Sequence, residues 1–467
     1  MKNLRKVLSL LCATLCATTF LVSPSCGQKE NTPTLPYFDK KSFSMSGFWA
    51  PYEINEESLQ LYKDSGMTTL AFNNHSLSMS SENQFYLGSK RTETALALCK
   101  QVGLKAQLQY REWIASQCGA PHSDAPFSDY PYAEYKDIIT GMSIIDEPST
   151  QAIYEWTADW LVEDFKKNYD VPYMINLDNN LDGIPSRVEL FEQKMAVYES
   201  EVLQKFPENP YISMDFYPFR ADGFANQWLA NYERVGKLIA KYDATGHFYI
   251  QSATGNEFGA TLTEDDIRLQ LYVGLAFGAK EFGYYCYAMP RINKGDGSYE
   301  PMYTACMLDA EDKPTYIYDY VKKVNAEMQA FASAYLDYKF VSTMGITYYN
   351  EADNSFDASI AYMKNKSTSK RTEFVDRKYL AAIETTDDIL VGSFEKESGE
   401  GYMIVNFGNP EAESAKDIEV TIELKGGANY LAVYGGKSGV PTIIKADDGK
   451  VKLPLAIAEG KFVIPLQ

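Results

Sequence analysis

Histidine is scarce in this chain. There are three in 467 residues, His75, His122 and His247, and no two stand at a metal-ligand spacing. A zinc site needs closely spaced histidines or cysteines, so no metal centre is expected. Basic clusters are also wanting, since 44 Lys and Arg face 63 Asp and Glu for a net charge of −19. Neutralising phosphates takes clustered positive charge, which argues against nucleic acid or an anionic membrane surface as partner. No G-x-G-x-x-G follows any apolar run, so a dinucleotide would have no cradle, and no cofactor is expected. Of the seven cysteines, Cys12 and Cys16 fall in an apolar N-terminal segment and Cys26 just beyond it. The remaining four, Cys99, Cys118, Cys286 and Cys306, allow three pairings, and the sequence selects none.

Lys2, Arg5 and Lys6 precede an apolar run from Val7 to Val22 that is rich in Cys, Ala and Thr. This has the form of a targeting segment and falls short of a permanent spanning helix of about 20 mostly apolar residues. The following "LVSPSCGQKEN" resembles a bacterial lipobox, and "GQKE" resembles the short export signal of surface lipoproteins in glycan-foraging Gram-negative bacteria. The resemblance implies removal of residues 1–25, acylation of Cys26, and an outer-membrane or cell-surface location with membrane contact only through that lipid. Pro24 departs from the usual pattern, so a secreted or periplasmic protein cleaved nearby stays open. Residues 26–42, polar and carrying Pro33 and Pro36, read as a tether.

From there the chain alternates. Apolar strand-like runs end near Trp49, His75, Tyr110, Glu147, Asn176, Asp215, Gln251 and Tyr285, and helical patterns such as "IYEWTADWLVEDFKKNY" and "WLANYERVGKLIAKY" lie between them. Eight strands, most followed by a helix, predict a TIM (β/α)8 barrel over residues 43–338. The stretch from Trp113 to Pro131 reads as an expanded loop after the third strand, of the kind that covers sites. Beyond Tyr338 short alternating runs such as "YMIVNF" and "DIEVTIEL" take over, which predicts an all-β sandwich over residues 339–467.

In such a barrel the reacting groups stand at the C-terminal ends of the strands. Those tips offer Trp49, Asn73, Asn74, His75, Tyr110, Arg111, Asp146, Glu147, Asn176, Asp178, Asp215, Tyr217, Gln251, Tyr285 and Tyr287. Aromatic faces stack on sugar C–H surfaces, amides bind hydroxyls, and paired acids break glycosidic bonds. An oligo- or polysaccharide is therefore the expected partner. Asp146 and Glu147 stand where "SIID" stops being apolar, and they admit a plainer reading, as acids complementing the dipole of a helix opening at Pro148 or Ser149. Asp178 reads more readily as a turn residue and His75 as a loop residue. Of "GYYCY", Tyr287 is expected to reach the mouth.

The chain resembles barrel glycoside hydrolases of the large clan whose acid/base glutamate ends the fourth strand, usually within Asn-Glu-Pro. Here the triplet is "DEP". The resemblance gives Glu147 the acid/base role, but Gln251 stands where that clan has its nucleophilic glutamate, and an amide cannot serve as that nucleophile. Three repairs are open. Glu257 is brought in from its glycine-flanked loop; Asp215 acts as base for inversion across a gap of about 6.5–9.5 Å; or the substrate assists. For the third, the Asp-Glu pair resembles that of hexosaminidase and chitinase-like barrels, which implies Asp146 orienting an acetamido group, Glu147 as acid and Tyr217 in support. The inverting and substrate-assisted readings are preferred to the retaining one. The remaining expected contacts are Trp49, Asn74, His75, Tyr110, Arg111, Asn176, Gln251 and Tyr287. A non-catalytic glycan-binding lipoprotein on a decayed barrel is the rival reading, and a purely structural surface protein is a third.

Overall fold

The computed structural model describes residues 33–73, 85–110, 132–178, 185–221, 223–225, 227–347 and 358–467. The expected leader with Cys26, the stretch Trp113 to Pro131 expected to be a loop, and the expected contacts Asn74, His75 and Arg111 lie outside them. Leu35–Gln467 forms one compact unit, to which all that follows refers.

Eight parallel strands, β1 (Ser44–Gly47), β2 (Thr69–Ala71), β3 (Lys105–Gln109), β4 (Ile139–Asp146), β5 (Tyr173–Leu177), β6 (Tyr211–Met214), β7 (Thr245–Gln251) and β8 (Ala279–Tyr285), pair in the order β1-β8-β7-β6-β5-β4-β3-β2. The two ends of that order meet. Thr68 N–H donates to the Met45 carbonyl at 2.9 Å, and the Ser44 and Thr69 hydroxyls lie 3.1 Å apart. A closed parallel sheet of eight strands with helices outside is a TIM barrel, and all its strand tips share one face.

The helices begin and end where local chemistry dictates. α1 (Glu56–Asp64) opens on an Asn55/Ser58 capping box, and α2 (Lys90–Val102) runs from a Ser89 cap to Gly103 in the left-handed conformation. The pattern over residues 153–169, read above as one helix, is two: α3 (Thr150–Trp156) and α4 (Asp159–Asn168). The break falls at Thr157, whose hydroxyl and N–H both donate to the Ile153 carbonyl, at 2.6 and 3.0 Å, and close the last turn. α5 (Pro185–Tyr198), α6 (Trp228–Tyr242), α7 (Glu264–Ala276) and α8 (Tyr316–Tyr335) complete the set used here.

From Lys339 onward the chain forms a seven-stranded sheet, which begins with β9 (Lys339–Ile346), and a separate four-stranded sheet. Apolar side chains between the two build a core of their own around Ile383, Val391, Ile404, Val420 and Leu453. The other face of the larger sheet packs on the barrel's helices. α7 is buried at every residue from Asp266 to Ala276, as a helix covered on all sides must be. Two contacts set this seam: the Thr343 hydroxyl donates to the Ala276 carbonyl at 2.6 Å, and the Gly436 N–H donates to the Tyr272 hydroxyl at 2.8 Å. At Gly392 the approach is so close that a Cβ would stand 2.4 Å from the Ala276 carbonyl oxygen.

Candidate active site

Strand register brings the polar groups together. Asp146, Asn176, Ser213, His247 and Glu281 are successive Cα partners across β4, β5, β6, β7 and β8, so they form one row around the barrel interior. Their hydrogen bonds have a direction. The Ser213 hydroxyl donates to Asn176 Oδ1 at 2.7 Å, and Asn176 Nδ2 donates to Asp146 Oδ1 at 2.9 Å. With its proton committed, Ser213 Oγ accepts from His247 Nδ1 at 2.8 Å, which fixes the imidazole as the Nδ1–H tautomer. Burial holds His247 down to about 3, so the ring is neutral. Gly283 makes room for this arrangement, since a Cβ there would stand 2.6 Å from the Tyr249 ring and 2.9 Å from His247 Nε2. Burial also raises Glu281 to about 7, against the opposing bond from the Tyr211 hydroxyl at 2.9 Å.

Asp146 ends this row, and Glu147 follows it with φ at +46°, a left-handed conformation uncommon outside glycine, with its N–H bonded to the Asn176 carbonyl at 3.0 Å. The turn separates the two acids: Asp146 is half-buried and Glu147 exposed. Burial first, and then the Glu147 charge, raise Asp146 to about 7, while the Asn176 bond pulls it down. Asp215, at the tip of β6, is buried and lifted well above the usual carboxylate range by burial, by the charges of Glu147 and Asp146, and by a hydrogen bond shared with Glu147. Three carboxyl groups thus meet at the ends of β4 and β6. The helix-dipole reading of Glu147 has no support here, because α3 takes its cap from the Ser149 hydroxyl, bonded to the Ala152 N–H at 3.1 Å, and has no acid in its first turn.

Beside the acids stands an aromatic wall. Tyr217 lies 5.1 Å from Tyr285 between ring centroids, Phe48 lies 5.6 Å from Tyr285, and Tyr303 stacks on Phe258 at 5.3 Å. The Tyr285 and Tyr303 hydroxyls are 3.0 Å apart, Tyr303 donates to Glu257 Oε1 at 3.4 Å, and Trp49 bonds Tyr285. Phe48, Trp49, Tyr217 and Tyr285 remain partly exposed, so their faces are available to a ligand. Burial, followed by the Asp215 charge, holds the Tyr217 phenol well above its ordinary range.

Several expected contacts have other duties. Gln251 is fully buried; its Oε1 accepts from the Phe219 N–H at 3.0 Å and its Nε2 donates to the Phe219 carbonyl at 2.8 Å, clamping the loop after β6. Its amide therefore serves the backbone in place of a sugar. Asn176 likewise turns its amide to Asp146 and Ser213. Tyr287 does not reach the mouth. Interior positions on β8 fall at Glu281, Gly283 and Tyr285, and two residues past the strand's end Tyr287 is fully buried against Tyr62, with ring centroids 4.7 Å apart. The mouth position belongs to Tyr285. Tyr110 is buried edge-on to Trp156 at 6.0 Å, and Asp178 pairs with the buried Lys194 of α5. Glu257 is exposed beyond Tyr303, on the aromatic side, whereas Asp215 bonds Glu147 directly. Sequence reasoning missed Ser213, His247, Tyr249 and Tyr303; the first three are found by counting back in twos from Asp215 and Gln251.

No family model and no curated protein matches the chain. Solved structures do. A family 39 glycoside hydrolase from the gut symbiont Bacteroides cellulosilyticus WH2 is 11% identical over 91% of this chain and 81% of its own, with a TM-score of 0.47. A GH30 endoxylanase from Clostridium papyrosolvens C71 is 10% identical over 92% and 97%, with a TM-score of 0.42. Alpha-galactosidase I from Mortierella vinacea is 9% identical over 91% and 97%, with a TM-score of 0.43.

Proposed function

We propose that the protein is a glycoside hydrolase in which Glu147 is the general acid and Asp146 orients an acetamido group of the substrate, whose carbonyl oxygen attacks the anomeric carbon. The observation that carries this reading is the meeting of Asp146, Glu147 and Asp215 at the tips of β4 and β6, beside the wall of Tyr217 and Tyr285. Glu147 is exposed at the strand tip, where it can reach a glycosidic oxygen. Asp146, held from one side by Asn176, has its second oxygen left to accept an amide N–H. Two features favour substrate assistance over the alternatives. Gln251 is committed to the Phe219 backbone and supplies no nucleophile. Asp215 shares a hydrogen bond with Glu147, closer than the gap of about 6.5–9.5 Å that an inverting pair needs for its water. Asp215 then orients Glu147 through the hydrogen bond they share, and Tyr217 supports the acetamido group.

The test replaces the N-acetyl group of an aryl glycoside by N-fluoroacetyl groups of increasing fluorine content. Fluorine weakens the amide oxygen as a nucleophile, so turnover falls along the series. A rate indifferent to fluorine rejects substrate assistance. The Gln251 clamp also favours a second reading, a glycan-binding protein without turnover, for which these glycosides would bind and remain intact.

A further inference from the structure

Of the cysteines beyond Cys26, Cys99 is buried on α2 and Cys118 lies outside the described residues. Cys286 and Cys306 are different: both are fully buried, and their Sγ atoms stand 3.1 Å apart, closer than two sulfur atoms rest in simple contact. The backbone brings them there. Met307 N–H donates to the Cys286 carbonyl at 3.4 Å and Leu308 N–H to the Tyr287 carbonyl at 2.8 Å, so the two stretches run side by side. On the Cys306 side, Thr304 and Thr254 exchange with the β7 loop: Thr304 N–H donates to the Thr254 carbonyl at 2.8 Å and Thr254 N–H to the Ala305 carbonyl at 3.0 Å. A disulfide requires Cα atoms about 4.4–6.8 Å apart, which neighbouring hydrogen-bonded chains supply without movement.

We propose that Cys286 and Cys306 form a disulfide that fastens the segment between them to the tip of β8. The oxidant is another disulfide, either a small molecule or an oxidoreductase, met while the chain folds. One cysteine thiolate attacks it to give a mixed disulfide and releases one thiol; the second thiolate attacks the bonded cysteine sulfur and releases the other. Two protons leave the protein, and the oxidant departs as two thiols. The enclosed segment carries a hairpin, Arg291–Asn293 paired with Tyr299–Pro301, and then Tyr303. Since Tyr303 bonds both Tyr285 and Glu257, the bridge fastens the outer part of the aromatic wall to the strand that carries Tyr285. Burial, with the neighbouring Cys306, keeps the Cys286 thiol well above its ordinary range, so within the bridge its sulfur is a poor leaving group toward an attacking thiolate. None of this depends on the glycosidase reading.

The full-length chain is exported into an oxidising bacterial periplasm, denatured with an alkylating reagent and no reductant, and digested with trypsin. Peptides 281–291 and 295–322 are expected joined, lighter than their sum by two hydrogens and separated by reductant. Reductant should also lower the melting temperature of the wild type by several degrees, and leave that of Cys286→Ser and Cys306→Ser unchanged. Recovery of the two peptides separately, each alkylated, or of either joined to the peptide holding Cys99 or Cys118, overturns the proposal.

Discussion

Asp146 and Glu147 share a peptide bond but not an environment. The left-handed turn at Glu147 leaves Asp146 in the interior row, where burial raises it to about 7, and sends Glu147 out to solvent. One side chain in that row makes a testable difference. The Asn176 amide stabilises the charged form of Asp146, so Asn176→Ala should raise the Asp146 pKa further. If ionised Asp146 is the working form, the acidic limb of kcat/KM then moves to higher pH, and activity at pH 6 falls more than at pH 8. A limb that stays in place would separate Asp146 from the reaction. At this scale the sequence was partly legible. "IIDEP" exposes its acids because charge interrupts an apolar run. Ser213 and His247 sit within apolar strands; parity with Asp215 and Gln251 turns them inward, but their meeting with each other and with Asn176 is set by register. Tyr287 was misplaced for a similar reason: alternation holds only as far as the strand does, and β8 ends at Tyr285.

Among the elements, the barrel strands and most helices follow from period and caps, and the change to alternating runs after Tyr338 corresponds to β9 and its sheet. What period cannot show is how the larger sheet meets the barrel. α7 carries three acids in its first turn, yet it is enclosed from Asp266 to Ala276, and glycines opposite it permit that close approach. Gly392→Ala should therefore be costly for a single methyl group. The Cβ would meet the Ala276 carbonyl, a backbone atom that cannot swing aside, and overpacking of this kind costs about 1–3 kcal/mol. Thermal denaturation would report a melting point lowered by several degrees. An unchanged melting point would show that the sheet and α7 do not approach so closely.

For the whole molecule, the interior acids set a pH dependence of stability. Asp146 and Glu281 carry folded values near 7, above the ordinary 3.8 and 4.5, so the native state keeps protons that the unfolded chain has lost. Their contribution is present in acid and disappears as pH rises toward 7. His247, lowered to about 3, acts in the opposite sense, losing stability as pH falls below about 6.5. With Asp215 also raised, the acids outnumber it, and the melting temperature should decline from about pH 5 to about pH 7. Glu281→Gln should make that decline shallower; an equally steep curve would remove Glu281 from the account. Whether Glu147 drives turnover is read from the rates of the wild type and Glu147→Gln on aryl N-acetylglycosides with poor and good leaving groups. A positioned general acid contributes about 10²- to 10⁴-fold, so the variant should lose that much on poor leaving groups and far less on good ones. Cleavage of both by Glu147→Gln at the wild-type rate would contradict the account.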